Sequence, residues 1–208
     1  MRIRRRLTRQ ERRDVTRMRL IEAAERLFIR KGFDDASVDE ISEAAGYSRG
    51  AFYSNFEGKD EIFLAVIDGR RHDTRKALDN IFQQPPKPEE RIAAFQSWFS
   101  NQWRLKDFIA LQMEFTRRAM KDGSVRKRLD EMRREELETY TLSVSRFLAT
   151  TGGAPVDLPE TVALVLWAIS QGLGSFAMGT ESEWEHRYTK AVKLAFDRMT
   201  APQIQNVG

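Results

Sequence analysis

The sequence predicts an all-α protein of about nine helices, arranged as a smaller N-terminal and a larger C-terminal domain. Apolar residues recur every three to four positions along most segments, as they do on the buried face of an amphipathic helix. No segment shows the sustained alternation of apolar and polar residues that marks a half-buried strand. Glycines, prolines and capping motifs separate these segments, so the helices are expected to be distinct and mostly of ordinary length.

The composition fits a folded chain without disulfides. Of the 208 residues, 41% are hydrophobic, which is enough to bury a core. The chain has no cysteine, and this excludes both a disulfide framework and a thiolate metal site. The arginine-rich start lacks the apolar stretch of a signal peptide, so we expect a cytoplasmic location.

Positive charge is concentrated at the N-terminus. Nine of the first 20 residues are arginine, against Glu11 and Asp14, which gives a local charge of +7, while the other 188 residues sum to −3. We interpret residues 1–13 as a basic arm suited to a polyanion, either nucleic acid or an anionic membrane surface. A solvated tail is the alternative interpretation.

Periodicity and helix-end signals predict each helix in order. The expected helices cover residues 14–31, 37–45, a short segment after 48, 59–82, 89–105, 107–121, 124–150, 157–180 and 182 to shortly before Pro202. Capping boxes are predicted at residues 37–40, 157–160 and 182–185, where a side chain and the backbone satisfy each other's free hydrogen-bonding groups. In the second helix, Val38, Ile41, Ala44 and Ala45 are expected to face the core.

A proline-rich segment, QQPPKPEE over residues 83–90, interrupts this pattern. Three prolines in four residues cannot continue a helix, and they make the connection stiff. We therefore expect a first domain over 14–80, a second over 88–200 and a tail over 201–208.

The segment SVDEISEAAGYSRGAFYSNF predicts two short helices joined by a tight turn. Gly46 can end one helix in the left-handed conformation and Ser48 can cap the next. This is the spacing of a helix-turn-helix, in which the second helix enters the major groove of DNA. Arg49 can then reach guanine acceptors, Gly50 allows close approach, and Ser48 and Tyr53 can contact phosphates or base edges. A compact helical hairpin without DNA contacts is the alternative.

Many positions around this motif also match a known family. They are Gly32, Phe33, Ala36, Ser37, Val38, Ile41, Ala44, Ala45, Gly46, Ser48, Gly50, Phe52, Tyr53, Phe56 and Lys59. Together they resemble the N-terminal domain of the TetR-type (tetracycline-repressor-like) transcriptional regulators, over roughly residues 20–67. The resemblance implies a three-helix DNA-binding domain and a C-terminal dimerisation and effector domain.

The same resemblance implies a function and its residues. A homodimeric repressor would release its palindromic operator when a small molecule binds the C-terminal domain. By this resemblance, Arg49 and Tyr53 lie where operator contacts are made, and Ser37 and Lys59 lie at helix starts that hold phosphates. Two positions depart from the pattern. Asn55 replaces a more usual His or Tyr as a phosphate contact, and Gly58 replaces a capping Ser.

Residues 161–180 carry no charge over a length that could cross a bilayer. The polar Ser170, Gln171 and Ser175 and the acidic flanks favour a buried helix instead. The resemblance places this helix and the last one in a dimer interface. Its expected contributors from the last helix are Trp184, Tyr188, Ala191, Val192 and Ala195.

Aromatic residues are dense in the C-terminal domain, and most are expected in its core. An effector pocket needs apolar walls and a few polar groups. We expect Trp98, Gln102, Met113, Trp167 and Gln171 to supply them, for a small hydrophobic or aromatic effector.

No enzyme site is predicted. Histidine occurs twice, at His72 and His186, and neither a phosphate loop nor a metal-ligand spacing appears, so we expect no cofactor and no metal. Two rival classes remain open: a membrane-associated helical protein and a helical enzyme acting on a hydrophobic substrate.

Overall fold

The computed structural model describes residues 8–83, 87–151, 159–175 and 180–200, and all regular structure in these ranges is helical. They contain nine α-helices and one short 3₁₀ helix at Asn101–Leu105. The α-helices are α1 (Arg9–Lys31), α2 (Val38–Ala45), α3 (Arg49–Tyr53), α4 (Lys59–Gln83), α5 (Pro88–Ser100), α6 (Lys106–Ala119), α7 (Gly123–Thr151), α8 (Pro159–Ser175) and α9 (Glu181–Thr200). The predicted all-α class is confirmed.

The chain divides into two compact units, Met1–Arg70 and Arg71–Gly208. The division falls inside α4, because this helix contributes its first half to one unit and its second half to the other. The expected proline-rich boundary lies further along the chain, where α4 ends at Gln83 and α5 begins at Pro88. The domain limits given above stay predictions.

Helix α1 begins earlier than the predicted start at Asp14. Thr8 and Glu11 form a capping box: Thr8 Oγ1 accepts from the Glu11 amide at 3.1 Å, and the Glu11 carboxylate accepts from the Thr8 amide at 2.7 Å. Residues 9–13 of the expected basic arm are therefore helical, and residues 1–7 lie outside the described part of the chain.

The core of the first unit is aromatic. The rings of Phe28, Phe33 and Phe63 lie with centroids 5.3 to 5.6 Å apart and bring together α1, the loop that follows it and α4. An ion pair between Arg70 and Glu25 joins α4 to α1 at the edge of this unit. Phe52 and Phe56 are also buried in this unit.

One core position in α2 was predicted wrongly. Ala44 is exposed, and Ser42 is buried in its stead. Ser42 is tolerated there because its hydroxyl donates to the Val38 carbonyl at 2.8 Å, which satisfies the buried polar group within the helix.

The second unit is a helical assembly in which α8 packs against α6, α7 and α9. Its core includes Phe95, Phe99, Phe147, Leu166 and Tyr188, all at most 2% exposed. These residues come from α5, α7, α8 and α9, so burial of apolar surface holds those four helices together.

The cap of α9 also differs from the prediction. The Thr180 hydroxyl accepts from the Glu183 amide at 3.4 Å, and Glu183 accepts from the Thr180 amide at 3.0 Å. The predicted box at Ser182 and Glu185 is wrong by two residues, because the same spacing of a hydroxyl and a glutamate occurs twice. The predicted box at 157–160 begins outside the described residues.

Among the helices of the described residues, none is both long enough and apolar enough to span a bilayer.

Candidate nucleic-acid interface and interior ligand site

The turn between α2 and α3 is built from three local devices. Ser37 caps α2 by accepting from the Glu40 amide, and Ser48 caps α3 by accepting from the Ala51 amide, both at 3.2 Å. Gly46 lies between them with φ of 76°, in the left-handed region that favours glycine. The predicted capping box, turn and second cap are confirmed, and together they give the two short helices of a helix-turn-helix.

Glu40 completes the capping box and carries a strongly shifted pKa. Its carboxylate accepts from Lys31 Nζ and from both the amide and the hydroxyl of Ser37. The hydrogen bond from Lys31, followed by those from Ser37, lowers the pKa of Glu40 to about 2. The start of α2 is thereby fastened to the end of α1.

Arg49 begins α3 and lies between two partners. Its Nη1 donates to both carboxylate oxygens of Asp39, at 3.2 and 3.3 Å, and its guanidinium lies 5.5 Å from the centroid of the Tyr53 ring. Tyr53 first and Asp39 second raise the pKa of Arg49. The predicted residues Arg49 and Tyr53 are therefore neighbours, whereas Asp39 was missed by sequence reasoning.

The face of α3 that carries these residues is open. Tyr53 is 48% exposed, although it is a large aromatic residue. A Cβ added at Gly50 would meet only the Ser48 hydroxyl, at 3.8 Å. Nothing within the chain therefore requires glycine at this position, and an approaching molecule can come close to the backbone there.

Asn55 makes hydrogen bonds with other residues of its own chain. Its side-chain amide donates to the Ala51 carbonyl at 2.8 Å, and its backbone oxygen accepts from Arg17 Nη1, also at 2.8 Å. The Arg17 guanidinium also lies 4.2 Å above the Phe56 ring. Arg17 was missed from the sequence because a contact between residues 38 positions apart leaves no local signal.

Lys59, at the start of α4, also makes internal contacts. Its ammonium group donates to the carbonyls of Phe33 and Asp34, each at 2.9 Å, and lies 4.8 Å from the Phe33 ring centroid. This side chain therefore fixes the start of α4 against the loop after α1.

Residues 20–66 match the family model described as "Bacterial regulatory proteins, tetR family". The predicted resemblance of the chain to the TetR family is confirmed. Its matched segment contains α2, α3 and the turn between them, so the helix-turn-helix geometry and the family match concern the same residues.

The chain is also similar to individual regulators and solved structures. The regulator SrpR of Pseudomonas putida is 46% identical over 59 residues, which span 28% of each chain. The repressor AcnR of Corynebacterium efficiens is 24% identical over 170 residues, covering 81% of this chain and 85% of AcnR. Among solved structures, Salmonella enterica GusR superposes with a TM-score of 0.68 at 19% identity, covering 93% of this chain and 98% of GusR. TetR-family regulators are not enzymes, and the described residues hold no cluster of potential metal ligands.

In the larger unit, the five residues predicted for a TetR-type effector pocket have different environments. Trp98 is half-buried and stacks on Phe95, with the two ring centroids 6.3 Å apart. The side-chain amide of Gln102 donates to the Trp98 carbonyl at 3.1 Å. Trp167 and Gln171 are half-buried on α8. Met113, also predicted for this pocket, is 55% exposed on α6.

Three buried polar atoms in the same unit also bear on a ligand site, and of their residues only Trp167 was predicted for the pocket. Trp184 Nε1, Trp167 Nε1 and the Tyr188 hydroxyl are buried without a hydrogen bond of full geometry. Trp167 lies close enough to Glu136 to lower the pKa of that carboxyl, and Ser170 lies close enough to Tyr188 to lower the pKa of that phenol. Neither pair makes a well-formed hydrogen bond. Such atoms are rare in protein interiors, which makes them candidates for ligand contacts.

Burial is the main cause of the pKa shifts of Glu136, Tyr140 and Tyr188. It raises the pKa of Glu136, which the indole of Trp167 partly opposes. Burial followed by the Glu136 charge raises the pKa of Tyr140 well above its ordinary value, and burial raises that of Tyr188 to about 12. Tyr140 also packs against Trp98 at 6.0 Å, which connects these groups to the predicted pocket.

The predicted dimer face is corrected in part. Trp184, Tyr188 and Val192 are at most 6% exposed and belong to the core of their own chain. Leu164, Val165 and Leu194 are the large apolar residues exposed on the described parts of α8 and α9. They were missed because apolar periodicity does not distinguish a core face from an interface.

Proposed function

We propose that this TetR-family chain is a DNA-binding transcriptional repressor that acts as a homodimer on a palindromic operator in the cytoplasm. The observation that carries the proposal is the open face of α3, with Arg49, Gly50 and Tyr53 presented beside a family-matched turn. A helix presented in this way fits the major groove. Two copies would read half-sites about 34–36 Å apart.

The proposed contacts divide into two classes. Arg49 and Tyr53 would read base edges, and Gly50 would let the backbone approach the DNA. Ser37, Ser48, Asn55 and Lys59 would contact phosphates and fix the register. For Asn55 and Lys59 the internal hydrogen bonds favour a supporting role, with the backbone at these positions nearest to the phosphates.

The test is selection of sequences from genomic DNA fragments at several salt concentrations. We expect the wild-type chain to enrich a palindrome and Tyr53→Ala to lose that enrichment while keeping salt-dependent binding through charge. Gly50→Ala should keep the helical fold, because its added Cβ makes only an ordinary contact with the Ser48 hydroxyl, yet it should weaken the selected complex. Ile29→Ala, at an exposed residue of α1, is the matched control and should behave as wild type.

If the wild-type chain enriches no sequence, the operator-binding proposal is wrong. If Tyr53→Ala enriches the same palindrome as strongly as wild type, the assignment of base reading to α3 is wrong.

We propose further that a small hydrophobic or aromatic effector binds within the larger unit and favours the DNA-free state. Trp98, Gln102, Trp167 and Gln171 would line its site, while the exposed Met113 would stay outside. The incompletely bonded donors of Trp167, Trp184 and Tyr188 support an effector that carries hydrogen-bond acceptors on an apolar body. Its effect on DNA requires different affinities for the two states of the dimer.

A thermal-shift screen of small aromatic compounds tests the effector site. We expect hits that carry carbonyl or phenolic oxygens, that release the selected DNA, and whose shift is reduced by Trp167→Phe. This substitution keeps an aromatic ring and removes the N–H donor. Hits that shift Trp167→Phe equally would place the effector elsewhere.

A further inference from the structure

The Asp39–Arg49 ion pair crosses the helix-turn-helix. Asp39 lies in the first turn of α2, and Arg49 is the first residue of α3, ten positions later. Both oxygens of the carboxylate accept from the same nitrogen of Arg49, Nη1. The Asp39 contact therefore uses one corner of the guanidinium fork and leaves the other donors of Arg49 for other partners.

Stability does not explain this pair. The side chains of Arg49 and Asp39 are 62% and 65% exposed, and exposed ion pairs contribute little to folding because water screens them. An aspartate on a surface that meets DNA also opposes binding, since it repels phosphates.

The geometry of the pair suits orientation. The Arg49 guanidinium is held between the Asp39 carboxylate on one helix and the Tyr53 ring on its own helix. A long arginine side chain otherwise samples many rotamers, and restricting them before binding reduces the entropy lost when it docks on a base. Bidentate recognition of guanine by arginine depends on such alignment.

We propose that Asp39 is a positioning residue for Arg49, which sets the base preference of the helix-turn-helix at the cost of general affinity for DNA. This inference rests on the proposed DNA-binding function. Asp39 would act through the direction of the Arg49 fork, while its negative charge keeps the surface from binding all sequences equally.

Glu43 offers a matched control for charge. It lies four residues after Asp39 on the same face of α2, it is exposed, and its side chain makes no ion pair or hydrogen bond in the described structure. Asp39→Asn and Glu43→Gln each remove one negative charge from α2, but the first alone disturbs Arg49.

The experiment measures the Kd of full-length protein for the palindrome that wild type selects and for a scrambled duplex of equal length, at one salt concentration. The quantity of interest is the specificity ratio, which is the Kd for the scrambled duplex divided by the Kd for the palindrome. We expect Glu43→Gln to strengthen both complexes alike and leave the ratio within about twofold of wild type. Asp39→Asn should reduce the ratio about tenfold, the lower range for one misaligned bidentate contact.

A double-mutant cycle then identifies the route. Arg49→Ala should reduce the ratio at least as much as Asp39→Asn, and adding Asp39→Asn to Arg49→Ala should change it no further. Unchanged circular dichroism and melting temperature would show that all variants fold, as expected for exposed positions.

Three results would overturn the inference. Asp39→Asn and Glu43→Gln could give the same ratio, or Asp39→Asn could lower the ratio in the Arg49→Ala background as much as in wild type. In either case the DNA-binding proposal survives and the positioning role does not. If wild type prefers no sequence at all, both fall together.

Discussion

The Arg17 guanidinium donates to the backbone oxygen of Asn55 at 2.8 Å, which joins α1 to the residues that follow α3. The same guanidinium lies over the Phe56 ring at 4.2 Å. A single side chain on α1 thus holds the residues that follow α3, so the position of Tyr53 depends in part on α1.

Replacing Arg17 tests this connection. We expect Arg17→Ala to lower the free energy of unfolding by about 1–2 kcal/mol, because a charged hydrogen bond and a cation–π contact are both lost. Urea denaturation of the full chain measures the change. Arg19→Ala, an exposed arginine on the same helix, controls for charge and should change stability by less than about 0.5 kcal/mol. Equal effects of the two substitutions would contradict the structural role of Arg17.

The acid titration of Glu40 gives a second prediction. Its pKa falls from an ordinary 4.5 to about 2, mainly through the Lys31 hydrogen bond. A lowered folded-state pKa stabilises the fold above pH 4.5, and this stabilisation is lost as pH falls toward 2. Carboxyl chemical shifts in NMR should show the low pKa in wild type and a rise toward 4.5 in Lys31→Met.

Glu40→Gln should also be less stable than wild type at pH 7 and equally stable near pH 2. A difference in stability that persists unchanged at pH 2 would show that the carboxylate charge is not responsible.

Glycine at position 46 is predicted to be required by the backbone alone. Gly46→Ala should cost about 1 kcal/mol, because φ of 76° strains a residue with a Cβ although the space around it is open. Gly58→Ala is the matched control, since its surroundings are equally open and its φ lies outside the left-handed region. We expect Gly58→Ala to be neutral or slightly stabilising in the same denaturation experiment. A neutral Gly46→Ala would disprove the strain.

The exposed apolar side chains of α8 and α9 predict where two copies meet. Leu164 is 45% exposed, and its replacement by Asp should convert a dimer to a monomer, because a charge would be buried at the interface. Sedimentation velocity at micromolar protein concentration measures the mass. Met113→Asp, at an apolar residue that is 55% exposed on α6, should stay dimeric. A dimeric Leu164→Asp would move the proposed interface elsewhere.

Local chemistry in the sequence determined the helices and the helix-turn-helix. Each of these features depends on residues at most a few positions apart, so the sequence alone reveals it. They are the caps at Ser37 and Ser48, the glycine turn at Gly46 and the break between α4 and α5. Errors arose where two similar signals competed, as at the start of α9, or where an earlier one was overlooked, as at Thr8.

Tertiary structure alone decided which side chains meet. The hydrogen-bond acceptors of Arg17, Lys59 and Arg49 on other elements lie 10 to 38 positions away, and no periodicity encodes such pairs. It also decided which apolar residues of the last two helices are core and which remain exposed, as Tyr188 and Leu164 illustrate. An amphipathic pattern records that a face is buried, whereas the packing of the other helices determines what buries it.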